Sequence, residues 1–365
     1  MRFVDEYRDP RLARALADAI LRRATRHWTI MEVCGGQTHS ILAHALDALL
    51  EERVSLLHGP GCPVCVTPLE TLDRALALVE RGATLCSFGD MLRVPGSRRD
   101  LLGARACGGD VRIVYSPLDA ARLASEQPER TVVFLAVGFE TTAPAVAAAA
   151  RWALERGLAN FFLLVSHVRV PPALEAIAAA PDTRVEAFLA AGHVCTVMGT
   201  AEYEPIARRH RLPIVATGFE PVDILEGVAL AVAQLEAGEA RVEIQYQRAV
   251  RPDGNPAARA LVEEVFEVVD RPWRGIGVVP GGGLALRARY AALDALRAFP
   301  ELAEQAPRES AACRAGDVLR GAIRPPACPA YGRSCTPEHP LGAPMVSSEG
   351  ACAAYWHYRA AEVTA

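Results

Sequence analysis

A chain of 365 residues, 51% of them apolar, has material for two or three packed cores, and no apolar run approaches the ~20 residues that cross a bilayer. Its 39 positive and 43 negative charges are interspersed rather than blocked, which argues against a nucleic-acid or membrane surface. Every positive charge is an arginine, so the chain has neither a P-loop lysine nor a Schiff-base nucleophile, and both the common nucleotide-phosphate motif and pyridoxal chemistry are excluded.

In chain order, Asp9-Pro10 reads as an N-cap with proline at the first helical position, and Leu12, Leu16, Ile20 and Leu21 mark one face of the helix that follows. Thr29 to Val33 is a predicted strand running into Cys34-Gly35-Gly36-Gln37-Thr38, a glycine turn before a helix carrying Ile41, Leu42, Ala45, Leu46 and Leu49. Val54 to Leu57 is the next strand. The loop Gly59-Pro60-Gly61-Cys62-Pro63-Val64-Cys65 then leads to a helix whose Thr67-Pro68-Leu69-Glu70 has capping-box spacing. Thr84 to Ser87 and Val111 to Tyr115 are further strands.

The run Thr131 to Val137 is too apolar for a half-exposed strand and ends in Gly138-Phe139-Glu140-Thr141-Thr142 before an alanine-rich helix from Pro144. Phe161 to Ser166 and Pro213 to Ala216 repeat the theme, and Gly218-Phe219-Glu220 echoes the first Gly-Phe-Glu. The expected fold class is therefore α/β: two parallel-sheet domains of related topology, then a C-terminal, mostly helical or irregular domain. The expected boundaries are 1–28 for an N-terminal helix, 29–125 and 126–240 for the two α/β domains, and 241–365 for the last, entered near the turn signal Asp253-Gly254-Asn255-Pro256.

The ten cysteines carry the chemistry. Cys313, Cys328, Cys335 and Cys352 are separated by 14, 6 and 16 intervening residues in a segment rich in Gly, Pro and Ser, which cannot bury much apolar surface unaided. Four converging thiolates would hold it through a metal centre, and the long gaps favour a [4Fe-4S] cluster over a zinc knuckle, whose thiolates usually pair at short spacing. Two disulfides are the third reading. They need an oxidising compartment, and no apolar signal segment opens the chain, so the expected location is cytoplasmic.

Cys62 and Cys65 form a C-x-x-C ahead of a helix N-terminus that should favour a thiolate, in a loop whose Pro and Gly imply exposure. The pair suits dithiol–disulfide exchange or half a metal site; the bland alternative is two buried small hydrophobes. Cys34 stands at a strand end beside two glycines, with His39 five positions on. It reads as a nucleophile, a metal ligand or a packed core thiol, and the residues alone do not choose. Cys86, Cys107 and Cys195 have no partner spacing and read as core.

Met31-Glu32-Val33-Cys34-Gly35-Gly36-Gln37-Thr38-His39, Gly59 to Cys65, Gly138-Phe139-Glu140-Thr141-Thr142-Ala143-Pro144 and Trp273-Arg274-Gly275 resemble successive signatures of the HypD family of hydrogenase maturation proteins. Cys313 to Cys352, with Cys335-Thr336-Pro337 and Met345-Val346-Ser347-Ser348-Glu349-Gly350, resembles that family's cluster-binding segment. The resemblance implies a scaffold, rather than a turnover enzyme, on which the Fe(CN)2CO group of the nickel-iron hydrogenase site is assembled before delivery to the hydrogenase large subunit. It implies that Cys34 holds this transient iron jointly with a HypC-type chaperone, with His39 close by as a proton donor or a supporting group behind the iron's ligands, and that a HypE-type partner supplies cyanide. It further implies that Cys62 and Cys65 form a redox pair fed by the [4Fe-4S] cluster on Cys313, Cys328, Cys335 and Cys352.

Two positions depart from the family's expected pattern: Pro344 stands where a further cysteine is expected, and Pro280-Gly281-Gly282-Gly283 has glycine in place of serine. The alternatives from other classes are a free-standing, cluster-dependent thiol–disulfide oxidoreductase and a non-catalytic interaction protein stapled by its metal.

Overall fold

The computed structural model describes residues 5–304, 307 and 309–359. Nine strands make two parallel sheets. The first takes β1 (Trp28–Glu32), β2 (Val54–His58), β7 (Ala187–Ala191), β8 (Ile214–Thr217) and β9 (Val242–Ile244) in the order β2-β1-β7-β8-β9. The second takes β3 (Thr84–Ser87), β4 (Val111–Ile113), β5 (Val132–Gly138) and β6 (Phe161–His167) in the order β4-β3-β5-β6. Every pairing within them is parallel. All seven residues of β5 are buried, as a strand covered on both faces requires.

The strand pairing does not follow the expected division at residues 125 and 126. The chain lays down β1 and β2, leaves to build the whole second sheet, and returns to add β7 beside β1, with Ile30, Met31 and Glu32 opposite Ala187, Phe188 and Leu189. The first sheet therefore reverses its winding between β1 and β7. Such a reversal opens a crevice at the carboxyl ends of the two strands.

The helix Pro10–Arg23 is capped as expected, Asp9 accepting from the N–H groups of Arg11 and Leu12. Its buried stripe is Ala13, Ala17 and Ile20, whereas Leu12 is exposed, because the helix lies close against Pro221–Ala237 and small residues permit that approach. The sequence 241–365 holds one element not foreseen, the antiparallel hairpin of β10 (Phe266–Trp273) and β11 (Gly277–Leu286). The glycines 281–283 lie within β11, where a Cβ on Gly283 would come 2.6 Å from the Arg271 side chain. Beyond it the chain is short helices and turns around a small core of Leu42, Ala330, Tyr331, Cys335, Met345, Ala354 and Tyr355. No helix among the described residues is long and apolar enough to cross a membrane.

Candidate functional site

Cys34 sits in the crevice between β1 and β7. It is the N-cap of the helix Gly35–Ala43, so the two glycines form the first helical turn itself, correcting the expected glycine turn before the helix. Three anchors fix its position. Glu32, wholly buried, accepts the Cys34 N–H at 2.7 Å, the Thr38 hydroxyl at 2.5 Å, and faces His58 Nδ1 at 2.7 Å. The Gln37 amide donates to Thr217 Oγ1 at 2.5 Å and to the Ala190 carbonyl at 3.3 Å, pinning the helix to the ends of β7 and β8. Gly61 passes directly behind, its carbonyl accepting the Gly35 N–H at 3.0 Å.

The imidazole beside the Cys34 sulfur is His193, with Nδ1 3.7 Å from Sγ, at the head of the helix Gly192–Met198 that follows β7. His193 packs against Phe219, and Phe219 also borders Gly36. His39, expected to serve Cys34, is on the exposed side of its helix, with Nε2 3.0 Å from the Tyr358 hydroxyl and the two rings edge to face. Five positions along a helix is nearly one and a half turns, which carries His39 away from the N-cap and toward the terminal helix Ala351–Tyr358.

Burial pushes the Cys34 thiol well up, and the negative charges of Glu32 and Glu349 add to the rise, while the N–H groups of Gln37 and Gly36 at the helix head oppose it. Burial lowers His193 to about 4. The resting pair is thus a neutral thiol beside a neutral imidazole.

Cys62 and Cys65 are both buried, correcting the expectation of an exposed loop; the segment 59–62 is enclosed because Gly59 and Gly61 press directly against β1 and the Cys34 backbone. The pair does not precede the long helix Leu69–Glu80 but occupies its own turn, Pro63–Val66, where the Cys65 N–H donates to Cys62 Sγ at 3.3 Å. Thr67 is not the N-cap of the long helix, a place that Pro68 takes, but the C-cap of the Pro63–Val66 turn, and its hydroxyl donates to the Pro63 carbonyl at 2.8 Å. The Cys65 thiol is pushed well up rather than down, by burial first, then by Cys62, Cys352 and Glu349.

Cys313, Cys328, Cys335 and Cys352 line a single cavity with Val318, Tyr331, Gly342 and Met345. Burial raises the Cys352 thiol strongly, and the other three cysteines raise it further. Pro344 is part of the cavity wall. Four soft sulfur donors around one void, with hydrocarbon behind them, suit a polynuclear iron-sulfur centre in donor chemistry. Among the described residues no group of three or more His, Cys, Asp or Glu is set to grip a single metal ion.

Glu349 links the Cys34 and Cys65 sites. It lies so close to Gly35 that a Cβ there would stand 2.3 Å from the Glu349 Cβ, and its charge bears on both Cys34 and Cys65. Although Glu349 keeps contact with solvent, partial burial, with Asp90 adding to it, raises its own pKa. Cys65 in turn senses Cys352. Of the remaining cysteines, Cys86 and Cys195 are core thiols pushed up to about 12 by burial. Cys107, expected in the core, is exposed, because it ends the short helix Leu101–Ala106 and is followed by Gly108 at φ 93° in a surface turn.

The loop after β5 holds a second buried acid. Glu140 accepts the Val170 N–H at 2.9 Å, and burial pushes it up to about 7, with Arg169 pulling the other way. A raised carboxyl adds stability below its unfolded pKa and loses it as pH rises through about 7. Glu140→Gln is therefore expected to be more stable than wild type at pH 8, by up to about 3 kcal/mol, with the difference vanishing near pH 4. Urea denaturation at both pH values measures it; an unchanged difference would place the carboxylate's cost elsewhere.

The chain is thus a parallel α/β protein that seats a lone thiol at its switch point and carries a dithiol and a four-thiol cavity besides. The HypD family profile, described as "Hydrogenase formation hypA family", matches residues 11–359. Hydrogenase maturation factors HypD of Rhizobium leguminosarum bv. viciae and Rhodobacter capsulatus are 46% and 45% identical, over 98% and 99% of this chain and 96% and 100% of their own. That of Escherichia coli K12 is 44% identical over 99% of each chain. The chain belongs to the HypD family of hydrogenase maturation factors.

Proposed function

We propose that this chain is the scaffold on which an iron bearing cyanide and carbon monoxide is held by Cys34 while the nickel-iron hydrogenase site is assembled. The observation that carries the reading is the closeness of Cys34 and Cys65 to Glu349, and of Cys65 to Cys352 of the four-thiol cavity. The iron is cargo. It meets Cys34 as a thiol, and thiolate ligation releases one proton, for which His193 Nδ1 at 3.7 Å is the nearby acceptor. A HypC-type chaperone would share the iron with Cys34, a HypE-type partner would supply cyanide, and the hydrogenase large subunit would receive the product, all in the cytoplasm.

Cys313, Cys328, Cys335 and Cys352 would hold a [4Fe-4S] cluster, which when bound supplies one-electron chemistry next to the dithiol. Closing Cys62 and Cys65 to a disulfide would release two protons and two electrons, the electrons leaving one at a time through the cluster to an external oxidant. Their burial keeps diffusible thiols out, and this favours a pair that serves Cys34 over a free-standing oxidoreductase. Mild oxidation should give an internal Cys62–Cys65 disulfide by mass spectrometry, with Cys107 the thiol most readily alkylated in native protein. Mixed disulfides of Cys62 with glutathione at comparable yield would favour the oxidoreductase.

Anaerobic reconstitution should load about four irons with matching sulfide per chain. Cys335→Ser is expected to lose this centre and loosen the segment around Tyr331 and Met345, since metal-binding free energy is folding free energy there. Stoichiometric zinc and no iron-sulfur absorbance would overturn the cluster assignment.

A further inference from the structure

The motif Trp273-Arg274-Gly275 stands outside the three thiol sites, and the structure gives each of its residues a place. Trp273 is buried, its indole N–H donating to the Gly282 carbonyl at 2.9 Å, which fixes the end of β10. Gly275, at φ 77°, passes so close to Gly316 that a Cβ on Gly316 would meet the Gly275 carbonyl oxygen at 2.3 Å. That contact brings Arg274 against the segment that begins at Cys313. The Arg274 backbone N–H donates to the Val66 carbonyl at 2.8 Å, on the turn that carries Cys65.

The guanidinium of Arg274 is 7% exposed. It is held by Glu309, with Nε 2.9 Å from Oε1 and Nη2 2.9 Å from Oε2, and its Nη1 has no hydrogen-bond partner among the described residues. Glu309 itself is 48% exposed, so water screens its negative charge while the buried positive charge is screened much less. Arg274, Glu309 and Cys313 line one cleft, and Cys313, Arg314 and Ala315 separate it from the four-thiol cavity. Arg274 also opposes the burial-driven rise of the Cys313 thiol.

We infer that Arg274 is a positioning and tuning residue for the four-thiol centre: its fixed positive charge beside Cys313 favours the electron-richer state of the centre and so raises its reduction potential. The inference rests on the cluster reading above. It explains why an arginine, which cannot lose its proton, stands at a point joined to both the dithiol turn and the Cys313 segment. Glu309 sets how much of that charge the centre feels.

The test is a dye-mediated redox titration of the reconstituted full-length protein, with dithionite as one-electron reductant and the visible and EPR signals of the centre as readout. At fixed potential, Arg274→Gln should lower the ratio of reduced to oxidised centre at least tenfold, which is about 59 mV for a one-electron couple. Arg274→Lys should recover most of that loss, and Glu309→Gln should shift the ratio at least threefold the opposite way. A purely structural role would lower cluster content in the Arg274 variants without opposite shifts from Arg274 and Glu309. If Arg274→Gln does not fold, the exposed Glu309→Gln decides, and no shift in it overturns the assignment. Iron and sulfide content of the wild-type chain tests the cluster reading separately: a loaded wild type with unmoved potentials in the variants rejects Arg274 alone.

Discussion

Cys34→Ser is expected to reduce hydrogenase maturation in cells to background while leaving the fold and the four-iron content intact. Serine is a good N-cap, and its hydroxyl can face His193 as the thiol does, so stability should change by less than about 1 kcal/mol. The cluster cysteines lie on other segments. What is lost is the one soft, polarisable donor at the switch-point crevice, and a hydroxyl is a poor substitute for iron that already carries strong-field ligands. Complementation of a deletion strain, with iron analysis of the purified variant, measures both halves. A loss of iron content together with maturation would mean that Cys34 is structural.

Gly61→Ala should be nearly as damaging, but through the fold. A Cβ at Gly61 would stand 2.2 Å from the Cys34 backbone nitrogen and 2.4 Å from its Cα, and neither atom can move without tearing the Glu32 and Gly35 hydrogen bonds. Overpacking at a rigid contact costs about 3 kcal/mol or more, and here it also displaces the thiol. Chemical denaturation should show that loss, along with failed maturation. Gly36 is the matched control. Its Cβ would meet Phe219 at 3.4 Å and the Cys34 sulfur at 3.7 Å, so Gly36→Ala should fold normally and interfere only by narrowing the space over the sulfur. Equal stability of the two alanine variants would contradict this account of the crevice.

The parallel α/β character was legible because β5 and β6 are near-continuous apolar runs, and strand residues were placed to within about one position at β1, β2, β3 and β8. The four C-terminal cysteines were legible through composition: a segment poor in apolar residues needs another source of order. Sheet membership was not, since a strand's partner is set by long-range contacts that no local pattern encodes, and β7, short and alanine-rich, gave no strand signal beyond the Gly192-His193 that ends it. His193 was missed with it. His39 is near Cys34 in sequence only, while the neighbour in space, His193, is 159 residues away and adjacent because β7 pairs with β1. Exposure of the C-x-x-C was misjudged for a related reason: glycine and proline mark surface loops, but at Gly59 and Gly61 the missing side chains serve close backbone packing.

The central claim is that Cys34 carries the iron, and infrared spectroscopy tests it most directly. The protein would be purified without oxygen together with a HypC-type chaperone, as wild type and as Cys34→Ser, and the region where metal-bound cyanide and carbonyl stretch would be recorded. The account predicts both sets of bands in the wild-type complex and neither in the variant, at equal chaperone and equal cluster content; bands of undiminished intensity in Cys34→Ser would contradict it.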